Sequence, residues 1–332
     1  MTFMPPEWHP QRWLWVGFPH LADEWPGYLG RAQEQIAAFA SAVADSGQEV
    51  RLVVRDEANR ARAATLCSAS VTLEIRRYGD VWLRDTGPLV VQRGTAQIGQ
   101  RFGFNGWGGK YLMDGDQEIG AELAHSAGLD VQVADWVLEG GALDCDGTGL
   151  VATTEQCLLN PNRNPQLSRG EIEQRLHRDL GFDRVLWLGE GLINDHTDGH
   201  VDNLARFVAP GVLAVPRATG ADDPNAAIYA DAKARAEAFG VQVREVPSPG
   251  RVESANEHGG RIEPASYMNF VITSKLVVVP IYGTAHDEAG VAAVAELFSD
   301  RDVVGIMADA VLAGGGSFHC ASQQMPKFLD LP

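Results

Sequence analysis

Three consecutive glycines, Gly314 to Gly316, lead through Ser317, Phe318 and His319 to Cys320. A nucleophilic thiol thus stands just after the most pliable backbone in the chain. Three other stretches also set reactive side chains beside glycine. They are Trp82-Leu83-Arg84-Asp85-Thr86-Gly87-Pro88, Leu138-Glu139-Gly140-Gly141-Ala142-Leu143-Asp144 and His196-Thr197-Asp198-Gly199-His200-Val201-Asp202-Asn203. Together they offer Asp85, Glu139, His200, Asp202 and Cys320. A free thiol, with a pKa of about 8.5, is only a few per cent ionised at neutral pH and needs help to act as a nucleophile. An imidazole titrates near neutrality and can take or give the proton. Attack on a peptide carbonyl needs only one further orienting Asn or Asp. Three carboxylates suit a planar cation instead: a guanidinium presents a fork of N–H donors, and each carboxylate accepts two in parallel. Buried like charges are costly while empty and are relieved when a cation arrives. The chemistry that fits is thiolate attack on a guanidinium carbon.

Each residue also has a plainer reading. Asp85 before Thr86-Gly87-Pro88 is suited to starting a turn. Glu139 fits a solvated strand end, and a lone cysteine fits a packed apolar site. On an extended chain His196, Asp198, His200 and Asp202 would share one face. That face suits either an acid/base pair of His200 and Asp202 or a zinc or iron site. A metal-dependent hydrolase using His196, Asp198 and His200 is therefore an alternative, although Gly199 disfavours a helical pair of histidines. His319 reads as structural or solvent-facing. Cys67, Cys145 and Cys157 lack CxxC spacing and read as packing residues.

The elements that must position these groups alternate along the chain. Residues 49–56, 185–189, 212–216, 241–247 and 303–308 read as strands, and 30–47, 225–240 and 288–300 as helices. In 30–47, Ile36, Phe39, Ala40 and Val43 recur at helical spacing and Gly47 closes the run. This is an α/β pattern. No linker, low-complexity tract or charge block interrupts it, so residues 1–332 are expected to form a single catalytic domain. The first strand has no Gly-rich fingerprint after it. The run Gly103-Phe104-Asn105-Gly106-Trp107-Gly108-Gly109 lacks the Lys-Ser/Thr ending of a phosphate loop and reads as a flexible loop.

Bulk properties narrow the partners. With 44 acidic and 27 basic residues the formal charge is −17, which disfavours nucleic acid and anionic membrane as partners. It agrees with a small cationic substrate as well as with simple solubility. The first residues have no signal-peptide pattern and the longest apolar run, around 275–283, is too short to span a bilayer. A cytoplasmic, reduced protein is expected, and a homo-oligomer is compatible with the sequence.

In this order the four motifs resemble those of the agmatine deiminase family, peptidylarginine deiminase-like enzymes of the guanidine-modifying pentein superfamily. The opening Met4-Pro5-Pro6-Glu7-Trp8-His9-Pro10-Gln11-Arg12-Trp13-Leu14-Trp15 is similar to that family's N-terminal segment, so the resemblance spans nearly the whole chain. It implies the α/β pentein fold: five ββαβ-type modules of about 66 residues (332 divided by five) around a pseudo-fivefold axis. It further implies Cys320 as nucleophile, His200 as general acid/base, and Asp85 and Asp202 as holders of the guanidinium nitrogens. Glu139 would support His200 and the cation, Trp82 would wall the site, and Asp198 and Gly316 complete the expected substrate contacts. No metal and no organic cofactor is implied. The expected reaction converts agmatine to N-carbamoylputrescine and ammonia through an S-alkylthiouronium on Cys320. L-Arginine, peptidyl-arginine or another small guanidine stays open as the substrate. His196 stands where many relatives carry an acid, and Ser317-Phe318 replaces an Asn-Ile-like pair; both departures are expected to reshape the pocket around the substrate tail.

Overall fold

Ile36, Phe39, Ala40 and Val43 are fully buried on one side of the helix Leu29–Asp45. This helix is the crossover between two parallel strands, Gln11–Gly17 and Val50–Val54. Parallel neighbours need such a connection, and the apolar stripe of the helix covers the sheet they form. The computed structural model describes residues 2–254 and 260–328.

The same unit recurs. Among the described residues there are five sheets, and each carries an antiparallel pair whose second strand is joined to a parallel third. In one sheet Ser322–Pro326 runs antiparallel to Gln11–Gly17, which is followed by Val50–Val54 and Val71–Ile75. In the next, Leu89–Arg93 pairs with Ala96–Gly103 and Ala96–Gly103 with Asp130–Val137. The other three are built from Asp144–Cys145, Leu150–Thr154 and Arg184–Leu188; from Arg206–Ala209, Val212–Arg217 and Gln242–Pro247; and from Val271–Ile272, Leu276–Ile281 and Asp302–Met307. Each parallel step passes through a helix: Leu29–Asp45, Glu57–Leu66, Ile119–Ser126, Arg169–Leu180, Ala226–Phe239 or Asp287–Ala295. The five-module expectation therefore appears as a repeated hydrogen-bonding pattern. The first and last parts of the chain share a sheet, which closes the series.

Most predicted elements form within a residue or two of their predicted ends. The helix expected over 288–300 stops at Ala295, because its C-terminal part turns back to let Phe298 pack in the core. Residues 103–109 differ more. Gly106–Gly109 is a short turn in which Trp107 adopts φ 53° and ψ 49°. A left-handed Trp is costly, by about 1–3 kcal/mol, and here it aims a buried indole rather than leaving a flexible loop.

Candidate active site

Cys320 lies in a turn between the short helix Asp309–Leu312 and the strand Ser322–Pro326, and its side chain is buried. Gly316 passes against it: a Cβ there would lie 2.8 Å from the Trp82 ring and 3.1 Å from Cys320 Cβ. Only glycine lets these three meet. Phe318 points the other way and stacks on Phe39 with centroids 4.7 Å apart. The expected effect of Phe318 on the pocket is thus replaced by a role in anchoring the turn to the core. The Asn269 amide donates to Sγ at 3.1 Å, and the thiol donates to Asp202 Oδ2 at 3.6 Å. Burial and the carboxylates of Asp202 and Asp85 push the thiol well above its ordinary pKa. Without a cation to offset these carboxylates, Cys320 is therefore held as a thiol.

The three motif segments that carry the other groups meet at Gly141. A Cβ at that position would lie 2.5 Å from His200 Nδ1, 2.9 Å from Asp85 Oδ1 and 3.2 Å from Asp202 Oδ2. The second glycine of the 138–144 motif is where the carboxylates and the imidazole share space. Asp85 sits in the four-residue helix Leu83–Thr86; its Oδ1 accepts from the Gly141 N–H and its Oδ2 from Trp107 Nε1, both at 2.9 Å. His200 Nδ1 is 3.7 Å from Asp85 Oδ1. Burial opposes a charge on His200, but Asp85, Cys157 and Glu139 outweigh it and hold the ring well above its ordinary pKa. Burial likewise raises Asp85, partly offset by His200. For Asp202 the cost of burial is overcome by His319, His200 and Arg206, which keep its carboxyl below the usual range. Glu139 is wholly buried beyond the strand Asp130–Val137, with Oε1 held 2.5 Å from Arg163 Nε.

Several buried polar atoms here have no hydrogen-bond partner: Asp202 Oδ1, Glu139 Oε2 and both ring nitrogens of His200. Buried polar atoms are almost always paired, so a group of unpaired ones in one place marks room for a ligand's complementary atoms. Asp85 and Cys320 border an adjoining cleft with about 540 Å³ of empty space, open solvent at its mouth included. Its walls include Trp82, Trp107 and Tyr111, the backbone of Gly314 to Gly316, and the acids Glu24 and Asp80. Burial, together with nearby Asp116 and Glu24, pushes Asp80 well above its ordinary pKa.

The sequence candidates fall into distinct places. Asp85, Trp82, Gly316 and Cys320 line the cleft, while His200, Asp202 and Glu139 stand around Gly141 beside it. The side chain of Asp198 is taken up by Lys110 and Arg163, each at 2.7 Å, and by Asn162 at 2.9 Å, and it is not among the residues lining the cleft. His196 does line the cleft, and its Nε2 faces the Arg261 guanidinium. The extended run expected over 196–202 does not form, because Asp198 adopts a φ of 62° and Gly199 of 85°. His196, Asp198 and His200 are accordingly not gathered as a ligand set. Among the described residues the ligand-type trio that does gather is Glu139, Cys157 and His200, whose donor atoms lie within 4.8 Å of one another. Cys157, read as packing, does pack in the core and also borders His200. Arg84, the cation within the motifs, turns to Gln323 and Gln324 at 2.6 and 2.8 Å.

Asn269, Trp107 and Arg163 escaped the sequence reading. Asn269 comes from a 3₁₀ turn far along the chain from Cys320 and has no local motif. The glycines around Trp107 were the available signal for its unusual backbone. His319, expected to be structural or solvent-facing, is buried with both ring nitrogens against carboxylates.

A family model for the Porphyromonas-type peptidyl-arginine deiminases matches residues 3–326. The chain belongs to that family. The agmatine deiminase of Stutzerimonas stutzeri is 35% identical, covering 98% of this chain and 95% of its own. The agmatine deiminase of Enterococcus faecalis superposes with a TM-score of 0.92 at 32% identity, over 98% of this chain and 96% of that one. A substrate-bound agmatine deiminase of C. jejuni gives 0.91 at 27% identity, over 99% and 97%. These full-length relatives put the chain among the agmatine deiminases, with the pentein fold, as a hydrolase of guanidine C–N bonds. No helix among the described residues is long and apolar enough to cross a membrane.

Proposed function

We propose that the chain, residues 1–332 acting as one catalytic domain, hydrolyses agmatine to N-carbamoylputrescine and ammonia. The observation that carries this reading is the set of unpaired buried acceptors around His200, namely Asp202 Oδ1, whose carboxylate also meets Cys320, and Glu139 Oε2, with Asp85 next to the imidazole. A guanidinium laid between Asp85 and Asp202 would supply the missing donors. It would also offset the two carboxylates that keep Cys320 protonated, so the thiol loses its proton to solvent as substrate binds.

The thiolate then attacks the guanidinium carbon, and His200, held as imidazolium, protonates the departing nitrogen. Ammonia leaves and an S-alkylthiouronium remains on Cys320. The now neutral His200 takes a proton from water as it adds to the same carbon, and collapse of that adduct expels the Cys320 thiolate and the ureido product. Preorganised charges facing the reacting group are the main source of rate in such a site. Each step is supplied by this chain's own residues.

The tail of the substrate is read by the cleft. Glu24 and Asp80 on its wall, beside Trp82, Trp107 and Tyr111, suit an ammonium on a short methylene chain. A carboxylate would want a free cation there, whereas Arg84 faces Gln323 and Gln324 and Arg261 is engaged by His196. The test is release of ammonia and ureido product from agmatine, L-arginine and a blocked peptidyl-arginine in parallel, with Cys320→Ala as control. Agmatine is expected to be turned over best and the Ala variant to be inactive. Preference for arginine would overturn the tail assignment, and full turnover by the variant would overturn the mechanism.

A further inference from the structure

His319, adjacent to the nucleophile, has its Nδ1 2.8 Å from Asp202 Oδ2 and its Nε2 3.1 Å from Glu7 Oε2. All three side chains are buried. A ring flanked on both sides by carboxylate acceptors satisfies both only when each nitrogen carries a hydrogen. Glu7 is in turn gripped by Arg206 and accepts from the Ile272 N–H at 2.8 Å. Arg206 Nε is 2.5 Å from Asp144 Oδ2, and its Nη1 donates to the carbonyls of Met268 and Phe270. Those two residues flank Asn269, whose Oδ1 accepts from the His319 and Cys320 N–H groups and whose amide touches Sγ. Burial works against charge on Glu7, yet Arg206 and His319 hold its carboxyl far below the usual range.

We propose that His319 is a positioning residue: clamped as an imidazolium between Glu7 and Asp202, it holds Asp202 ionised and turned so that Oδ1 faces the guanidinium. This explains why the N-terminal segment carries Glu7, a residue that lies 312 positions from His319 in sequence. With Oδ2 engaged by His319, Oδ1 is the oxygen left without a partner. A neutral side chain at 319 would leave Asp202 with one weaker donor and only the charges of His200 and Arg206 to oppose its burial, without the hydrogen-bonded charge that favours its ionised form most. A buried carboxylate so weakened takes up a proton more readily. Protonated Asp202 cannot draw in a cation. The inference rests on Asp202 as a guanidinium holder.

Two thiol reagents separate the possibilities: 2-chloroacetamidine, a planar amidinium cation, and neutral iodoacetamide. Both alkylate Cys320, so anything that merely disturbs the thiol changes both rates together. The wild type is expected to react faster with the cation; absence of that preference would overturn the assignment of Asp202 itself. In His319→Asn, which keeps a donor near Nδ1 without the charge, the ratio of the two rates is expected to fall at least ten-fold. Glu7→Gln keeps hydrogen bonds to His319 and Arg206 and is expected to lower the ratio in the same direction by a smaller factor. Thermal melting identifies the folded variants, and Glu7→Gln carries the test if His319→Asn does not fold. A wild-type preference that survives in either folded variant overturns the role of His319 and leaves the Asp202 assignment standing.

Discussion

Trp107 Nε1 donates to Asp85 Oδ2 at 2.9 Å, so an indole presented by a left-handed turn fixes the carboxylate nearest His200. Gly141 N–H fixes the other oxygen of Asp85. The orientation of the Asp85 carboxylate is thus set by two segments that precede Cys320 by more than 150 residues each.

Replacing Trp107 by Phe keeps the wall of the cleft and removes that donor. A hydrogen bond to a charged group contributes about 1.5–3 kcal/mol. The variant is expected to lose about ten- to a hundred-fold in kcat/KM for agmatine while melting within a few degrees of wild type. Unchanged steady-state kinetics in a folded variant would remove Trp107 from the site.

Cys320 is a buried thiol with two carboxylates near it, and its pKa is raised. An acid so shifted stays protonated above the pH at which an ordinary cysteine ionises. Alkylation of the empty enzyme by iodoacetamide is therefore expected to rise with a midpoint above about 8.5. Asp202→Asn removes one negative neighbour and is expected to lower that midpoint. The same substitution deletes a proposed holder of the cation, so agmatine turnover is expected to fall by about a hundred-fold or more even as the thiol becomes easier to ionise. A midpoint that rises in Asp202→Asn would contradict the electrostatics argued for the pair.

Gly141→Ala would drive a methyl to within 2.5 Å of His200 Nδ1. Because Gly141 has no positive φ, the harm is steric and local to the catalytic groups. We expect a loss of about a hundred-fold or more in kcat with a modest change in melting temperature. Gly30→Ala is the matched control, since nothing lies within 4 Å of a Cβ there. It falls within the helix Leu29–Asp45 and is expected to leave kcat alone and to stabilise by about 0.5–1 kcal/mol. Equal effects of the two substitutions on kcat would refute the crowding at Gly141.

The residues proposed for the chemistry were legible as candidates because each stands in a local run with a glycine that its crowded surroundings demand. Gly141 meets His200 and Asp85, and Gly316 meets Trp82 and Cys320. Local periodicity likewise announced the helix around Ile36 and the strand around Leu52, since burying an apolar stripe or face requires only that spacing. The fivefold repetition was not legible, because it resides in which backbones pair and the modules share little sequence. The reading of 196–202 as extended failed for a related reason: alternation says which residues could share a face but not whether two left-handed residues will break the run.

What the sequence alone determined was a set of candidate groups, Asp85, Glu139, His200, Asp202 and Cys320, and the guanidine chemistry such a set suits. The tertiary structure decided their partners. Trp107 reaches Asp85, Arg163 reaches Glu139, Asn269 reaches the Cys320 sulfur, and Glu7 reaches Asp202 through His319. These contacts join segments 22 to 312 residues apart. No local pattern encodes such distances; they exist only because five sheets bring their ends to one place, where burial makes every unpaired charge costly and so fixes which partners must meet.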